Sequence, residues 1–381
     1  MKYDIGLVGS LCSCDIVTAV KLQNAGLKTV VLSKGRVSRS ANIQSIPASI
    51  QKNLDKIDII NFNPGVDFYK KAKCCRLILS FSGSILGGLR ECYPLKFLPD
   101  FPPIVNIATG SDVTEFINEQ SFAARIYRNL LKTSPMNWMV EYPLALKFIQ
   151  KYDIPNTYFM PFPGIAHDYF TPLPTTKKVR ILNPSRIDWK LNDPGEWRAS
   201  SNGNDRFIRA FARALDAGLD AEATLIFRGP DKVEAKKLVS SLGIDDAIIW
   251  KDELSRDQLL NEIREHHVVA DQFDLGGFGG ITIESMSIGR PVLIYLNQVS
   301  SSIMFRGDGP PVLNCHSEDE IFSQLMLLKD RSTINDISIQ SQSWIMKYYS
   351  GTESLAEFIY HYYRLTGHCV QDYGWNHYST K

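Results

Sequence analysis

Two runs of alternating apolar strands and helical segments, split by a proline-marked stretch, restrict this chain to parallel α/β architecture. The first run opens with "DIGLVGS", a short apolar strand. In "DIVTAVKLQNAG", Ile16, Val17, Val20 and Leu22 then recur at helical spacing up to Gly26, and "KTVVLS" follows as a second strand. A strand, a helix and a second strand within about thirty residues imply a right-handed parallel crossover. Further strands are expected in "RLILSFS", "PIVNIAT" and "IPNTYFMPF". The stretch "MPFPGIAHDYFTPLPTTKK" carries four prolines and a glycine, which neither a helix interior nor a central strand accepts, so it reads as a linker.

The alternation then restarts with "VRILNPS", a helix from Asp205 to Ala217, "EATLIFRG", "KVEAKKLVSSLG", "AIIW", "SRDQLLNEIREH" and "VVADQF". The tail from Glu318 is expected to be helical throughout. A chain of 381 residues exceeds one ordinary core and suits two domains. The expected boundaries are 1–165 for a first domain, 166–178 for the linker, 179–348 for a second domain and 349–381 for a helical tail that crosses back to the first domain.

Composition excludes several classes. A net charge of +1 gives no field for nucleic acid, and no apolar run is long enough to span a bilayer. The first residues read as a strand rather than a secretory leader, and seven scattered cysteines suit reduced thiols, so a cytoplasmic location is expected. Neither a Cys/His set at zinc spacing nor a well-placed Asp-x-Asp pair occurs, so no metal and no cofactor are expected.

The chemistry concentrates in "DLGGFGGITIESMSIGRPVLIY", Asp274 to Tyr295. Gly276, Gly277, Gly279 and Gly280 permit close backbone approach and positive φ. A helix over 281–288 follows at once, aiming unpaired N–H groups and a positive dipole end into the loop, where phosphate is the natural occupant. Glu284 lies one turn in, within reach of ribose hydroxyls. The bland alternative is a tight turn followed by an exposed helical glutamate.

With those residues in view, the C-terminal half resembles retaining glycosyltransferases of the GT-B fold, in particular glycosyltransferase family 4. Their signature is a glutamate, seven residues, a second glutamate, and a short helix ending in Gly-x-Pro-Val. Here "FGGITIESMSIGRPV" matches from Phe278 to Val292, with Glu284 as the second glutamate and Gly276 in place of the first. The resemblance implies two Rossmann-like doubly wound domains facing across a cleft. It also implies a nucleoside-diphosphate sugar held by Gly277, Phe278, Gly279, Gly280 and Ile281. Asp274 could supply the missing carboxylate, as could Asp271, and Gln272 could make the contact through its amide.

"NPSRID" resembles the family's Gly-Arg-Leu and makes Arg186 a diphosphate ligand, for which a guanidinium fork is suited. "SNGNDRF" matches the family's Lys-Gly-x-Asp with Asn202 at the lysine position, which leaves Lys190 as the substitute cation. "LIFRGPD" resembles the family's strand ending in Gly-Pro, and "WKDELSRDQLL" the segment that holds the nucleobase, from Trp250 to Leu254.

On the acceptor side the resemblance implies Gly9 and Ser10 after the first strand, Thr109 and Asp112 in "NIATGSDVTEF", and His167 in the linker. Thr109 stands where the family has histidine, and Asp112 could equally cap a helix. The implied reaction is sugar transfer with retention, without a metal, to a glycan, lipid-linked or small-molecule acceptor. Arg186, Lys190 and Glu284 are its central residues. "KKAKCCR" from Lys70 reads as a solvated basic turn, with peripheral contact to the inner membrane face as the alternative. Two altered sugar contacts keep a catalytically weak pseudo-enzyme or binding subunit open, with a nucleotide-sugar epimerase behind it. A dinucleotide oxidoreductase is disfavoured, because "GLVGSLCSCD" lacks G-x-G-x-x-G spacing.

Overall fold

The computed structural model describes residues 2–9, 14–34, 54–81, 96–108, 116–140, 143–161, 170–190, 201–349 and 352–368. The chain divides into two compact units, Met1–Ile165 with Gly351–Lys381, and Ala166–Ser350.

The first unit holds a seven-stranded sheet in the order β3-β2-β1-β4-β5-β6-β7. Its strands are β1 (Tyr3–Val8), β2 (Thr29–Lys34), β3 (Asp58–Phe62), β4 (Cys75–Phe81), β5 (Ile104–Ala108), β6 (Met136–Met139) and β7 (Thr157–Phe159). Every neighbouring pair is parallel. The central strands are buried on both faces, which is why they read as unbroken apolar runs. The helix Cys14–Asn24 buries Ile16, Val17, Val20 and Leu22 as their spacing requires, and Gly26 turns the chain at φ 90°. The helix Thr352–Thr366 belongs to this unit. Its Phe358 stacks on Trp138 at 5.6 Å, and Tyr362 donates to Asp4 at 3.2 Å.

The second unit holds a six-stranded sheet in the order β10-β9-β8-β11-β12-β13, again all parallel. Its strands are β8 (Val179–Asn183), β9 (Ala221–Ile226), β10 (Ile248–Lys251), β11 (Val268–Ala270), β12 (Val292–Ile294) and β13 (Leu313–Asn314). One core, centred on Phe207, Phe211, Leu225, Val268 and Phe273, fills one side of the sheet. A smaller cluster of Leu182, Ile226, Leu260, Ile263, Val269 and Ile288 fills the other. Strand faces alternate, so Ile181 and Leu182 fall in different clusters.

The tail departs from expectation. It is not helical throughout: the helix Glu318–Leu327 ends, and Arg331–Tyr349 begins after a break at Asp330. The Asp330 carboxylate accepts the Ser332 N–H at 2.9 Å and the hydroxyls of Ser332 and Thr333 at 2.7 to 2.8 Å, which caps a new helix instead of continuing the old one.

His267 fixes the strap of chain that leads into β8. The Arg180 N–H donates to its Nδ1 at 3.0 Å, and its Nε2 lies 2.9 Å from the Pro174 carbonyl. An N–H can only donate and a carbonyl can only accept, so the buried ring is the neutral Nε2–H tautomer. Burial and the nearby Arg331, Arg290 and Arg180 push its pKa down to about 4 from 6.5. The unfolded chain takes up this proton below pH 6.5 and the folded chain only near pH 4. Stability present above pH 6.5 is therefore lost as the pH falls through that window. Between pH 7 and pH 4.5 the loss is about 2 kcal/mol. Urea unfolding at the two pH values is expected to show a pH-dependent change in stability that differs between the wild type and His267→Gln by about that amount.

Candidate functional site

In the second sheet β8 stands between β9, its successor in sequence, and β11. The winding direction reverses between β8 and β11, and in open α/β sheets the C-terminal ends of strands at such a reversal form a crevice. Ser185 follows β8 and Asp271 follows β11. The Ser185 hydroxyl donates to one Asp271 oxygen at 2.6 Å and the Thr282 hydroxyl to the other at 2.6 Å. Burial pushes the Asp271 carboxyl upward, opposed by the Ser185 and Thr282 hydroxyls and the Thr282 N–H. This carboxylate thus lies under the first turn of the helix Gly280–Ile288 and ties it to the segment carrying Arg186. It is unavailable as a substitute sugar contact.

Gln272 shapes the glycine loop. Its amide nitrogen donates to the carbonyls of Gly277 and Tyr295, each at 3.0 Å, and its oxygen accepts the Leu275 N–H at 2.7 Å. Gly276 sits at φ 68°, a conformation that strains any residue with a Cβ, and that atom would lie 3.2 Å from the Tyr295 ring. The glycine at the first-glutamate position therefore belongs to the loop's backbone path. Reinstating a side chain there, as Gly276→Glu, is expected to lower stability by roughly 1–2 kcal/mol. The measurement is a thermal midpoint against the wild type.

No side chain of Gly279 caps the helix, and a Cβ at Gly277 or Gly280 would meet nothing within 4 Å. The helix start therefore presents backbone N–H groups and a positive dipole end beside open space, which suits an anion. At its far end Gly289 turns at φ 84°, where a Cβ would press within 2.7 Å of Phe170. The Phe278 ring packs with Tyr349, Trp344 and Phe305 at 5.6 to 5.9 Å. What Phe278 can offer a ligand is thus its backbone, while its ring anchors the loop.

The two expected cations each hold a carboxylate. Arg186 is exposed and pairs with Asp188. The Lys190 amine lies 3.4 Å from Glu234, while the backbone N–H groups of Trp189 and Lys190 both donate to Asp231 at 2.7 and 2.8 Å. Asn202, at the lysine position of the resemblance, donates from its side chain to the Arg186 carbonyl at 2.6 Å and from its N–H to the Asp188 carbonyl at 2.7 Å. Its own carbonyl accepts the Phe273 N–H at 2.9 Å, so it stitches the Arg186 segment to the glycine loop.

Glu284 and Arg256 form an ion pair at 2.6 Å, both mostly buried, joining the middle of the helix Gly280–Ile288 to the start of the helix Arg256–Glu265. Burial raises the Glu284 carboxyl, and the Arg256 guanidinium draws it back. Leu254 and Ile281 pack on the same apolar cluster, and the Trp250 ring meets Phe227 edge-on at 5.8 Å. Asp274 pairs with Arg206, and His316 Nε2 lies 3.6 Å from it.

On the acceptor side, Gly9 ends β1 at φ 90°. Ser10, Thr109, Asp112 and His167 lie outside the described residues. Sequence reasoning missed Ser185, Asp188, Arg206, Asp231, Arg256, Thr282 and His316. Only Arg256 carried a local signal, the capping box of Ser255 and Gln258 around it, and that signal marks a helix start rather than a partner.

No protein-family profile and no curated protein sequence matches the chain. Solved structures do. HepE of Anabaena in complex with UDP and glucose is similar at 13% identity and a TM-score of 0.63, covering 94% of this chain and all of that one. TarM of S. aureus, in complex with Fondaparinux, alpha-GlcNAc-glycerol and UDP, is similar at 9% identity and a TM-score of 0.62 over 95% of this chain and all of TarM. Sucrose-phosphate synthase of Thermosynechococcus elongatus is similar at 12% identity and a TM-score of 0.59 over 95% of this chain and 98% of that one. With two all-parallel α/β units and these likenesses, the fold is GT-B.

Proposed function

We propose that the protein is a glycosyltransferase that takes a sugar from a nucleoside-diphosphate donor with retention at the anomeric carbon. The observation that carries this reading is the Ser185–Asp271–Thr282 link, which joins the Arg186 segment to a glycine-rich helix start at the sheet's winding reversal. A guanidinium and a helix dipole on segments joined in this way would supply the chemistry of a pyrophosphate clamp. UDP is the expected leaving group, since HepE and TarM are each bound to it.

In the step itself, the bond from the anomeric carbon to the diphosphate oxygen breaks and a bond to the acceptor oxygen forms on the same face. The acceptor proton passes to a diphosphate oxygen, so the reaction needs no protein base. Arg186, Lys190 and the helix start offset the charge that grows on the diphosphate. Glu284 accepts from the ribose hydroxyls, and the backbone near Trp250 and Leu254 lines the base. The acceptor is a glycan, a lipid-linked glycan or a small molecule, met by Gly9, Ser10, Thr109 and Asp112 and by His167 of the linker. The reaction proceeds without a metal, in the cytoplasm, where peripheral contact with the membrane's inner face would serve a lipid-linked acceptor. No helix among the described residues is long and apolar enough to cross a membrane.

The deciding experiment is calorimetric titration with a panel of nucleoside diphosphates, with and without EDTA. Micromolar affinity for UDP, unchanged by the chelator, is expected. No binding by any member of the panel would overturn the reading. Release of UDP from a labelled donor then separates an enzyme from a binding subunit of the same fold.

A further inference from the structure

A glycosyltransferase must tell one sugar from another, and position 276 offers no side chain for the task. What adjoins it is a cluster on three segments. The Tyr295 ring, at the end of β12, lies against Gly276. The His316 ring, just past β13, faces Tyr295 at 4.4 Å with 36° between the planes. His316 Nε2 stands 3.6 Å from Asp274, which Arg206 also holds. The His316 N–H donates to Glu320 at 2.8 Å, which fixes the residue at the start of the helix Glu318–Leu327. Half of the His316 side chain remains exposed.

We infer that Tyr295, His316 and Asp274 form the wall that recognises the donor sugar, in place of the carboxylate that Gly276 lacks. The inference rests on the donor site proposed above and adds its specificity. An aromatic face suits the C–H face of a pyranose, and the imidazole and carboxylate suit its hydroxyls. Asp271 lies buried and Gln272 is spent on the loop, so Asp274 is the partly exposed group of the three considered from the sequence. Arg206 orients it, and Gln272 holds Tyr295 through its carbonyl.

Calorimetry with UDP, UDP-glucose, UDP-galactose and UDP-N-acetylglucosamine tests this on the wild type, His316→Gln and Tyr295→Leu. In the wild type the strongest and weakest sugar donors are expected to differ at least about tenfold, because a site built for one hydroxyl pattern rejects another. In both variants that spread is expected to shrink to about twofold or less, with the affinity for UDP alone held near the wild-type value. A wild-type chain that binds UDP but ranks the three sugars alike overturns the inference and leaves the diphosphate reading standing. So does an unchanged spread in both variants. A wild-type chain that binds none of the four overturns both.

Discussion

Arg186→Ala is expected to weaken UDP binding by roughly 30-fold or more, with the thermal midpoint of the free protein little changed. The two halves of that expectation have separate causes. A guanidinium gives a diphosphate two charge-assisted hydrogen bonds, and bonds to charged groups contribute about 1.5–3 kcal/mol each. In the free protein the same side chain is exposed and pairs, among the described residues, with its near neighbour Asp188. Exposed pairs of that kind contribute about 0–1 kcal/mol. The variant also uncovers the Asp188 carboxylate, which then repels the incoming diphosphate. Arg186→Ala with Asp188→Asn is therefore expected to recover part of the lost affinity, and Arg186→Lys to recover the charge but not the fork. Calorimetry on the four proteins at one salt concentration checks the series. Equal affinities across it would remove Arg186 from the site and the pyrophosphate clamp with it.

Much of the second unit was legible because its signals are local. β8, β9, β11 and β12 are short, mostly buried apolar runs, and Gly289 stops its helix at the glycine the sequence offers. Strands that depend on partners elsewhere were not. β3 is a half-exposed edge strand of mixed character, and β6 carries Asn137, whose burial is tolerated because Leu131, Pro155 and Asn106 satisfy its amide. The two-residue β13 is too short for any periodicity. The site divides along the same line. The glycine loop and Arg186 stand in recognisable order along the chain. The groups that fix them do not: Asp271 reaches Ser185 across 86 positions and Arg206 reaches Asp274 across 68, with no pattern linking them. Gly276 shows the converse limit. As a letter it reads as a lost glutamate, whereas its positive φ shows a backbone requirement.

Glu284→Ala is expected to do two kinds of damage that a second substitution separates. Glu284 and Arg256 are mostly buried side chains 2.6 Å apart, and the Arg256 side chain keeps about a fifth of its surface in water. Removing the carboxylate takes away the Arg256 guanidinium's ion-pair partner in a mostly buried place. Breaking a buried pair costs about 3–5 kcal/mol, and the remaining solvent contact lowers the figure here to about 2–3 kcal/mol. Urea unfolding measures this part. Glu284→Gln is milder, because the amide oxygen still accepts from Arg256 and only the charge is lost. Glu284→Ala with Arg256→Ala removes both charges and is expected to regain at least about half of the lost stability, as a positive coupling energy in the cycle. UDP affinity should follow a different order. If the carboxylate binds ribose, affinity falls about tenfold or more in Glu284→Ala and stays low in the double variant although its stability has returned. Affinity that recovers together with stability would make Glu284 a partner of Arg256 and nothing more. The ribose contact would then have to come from the loop's backbone.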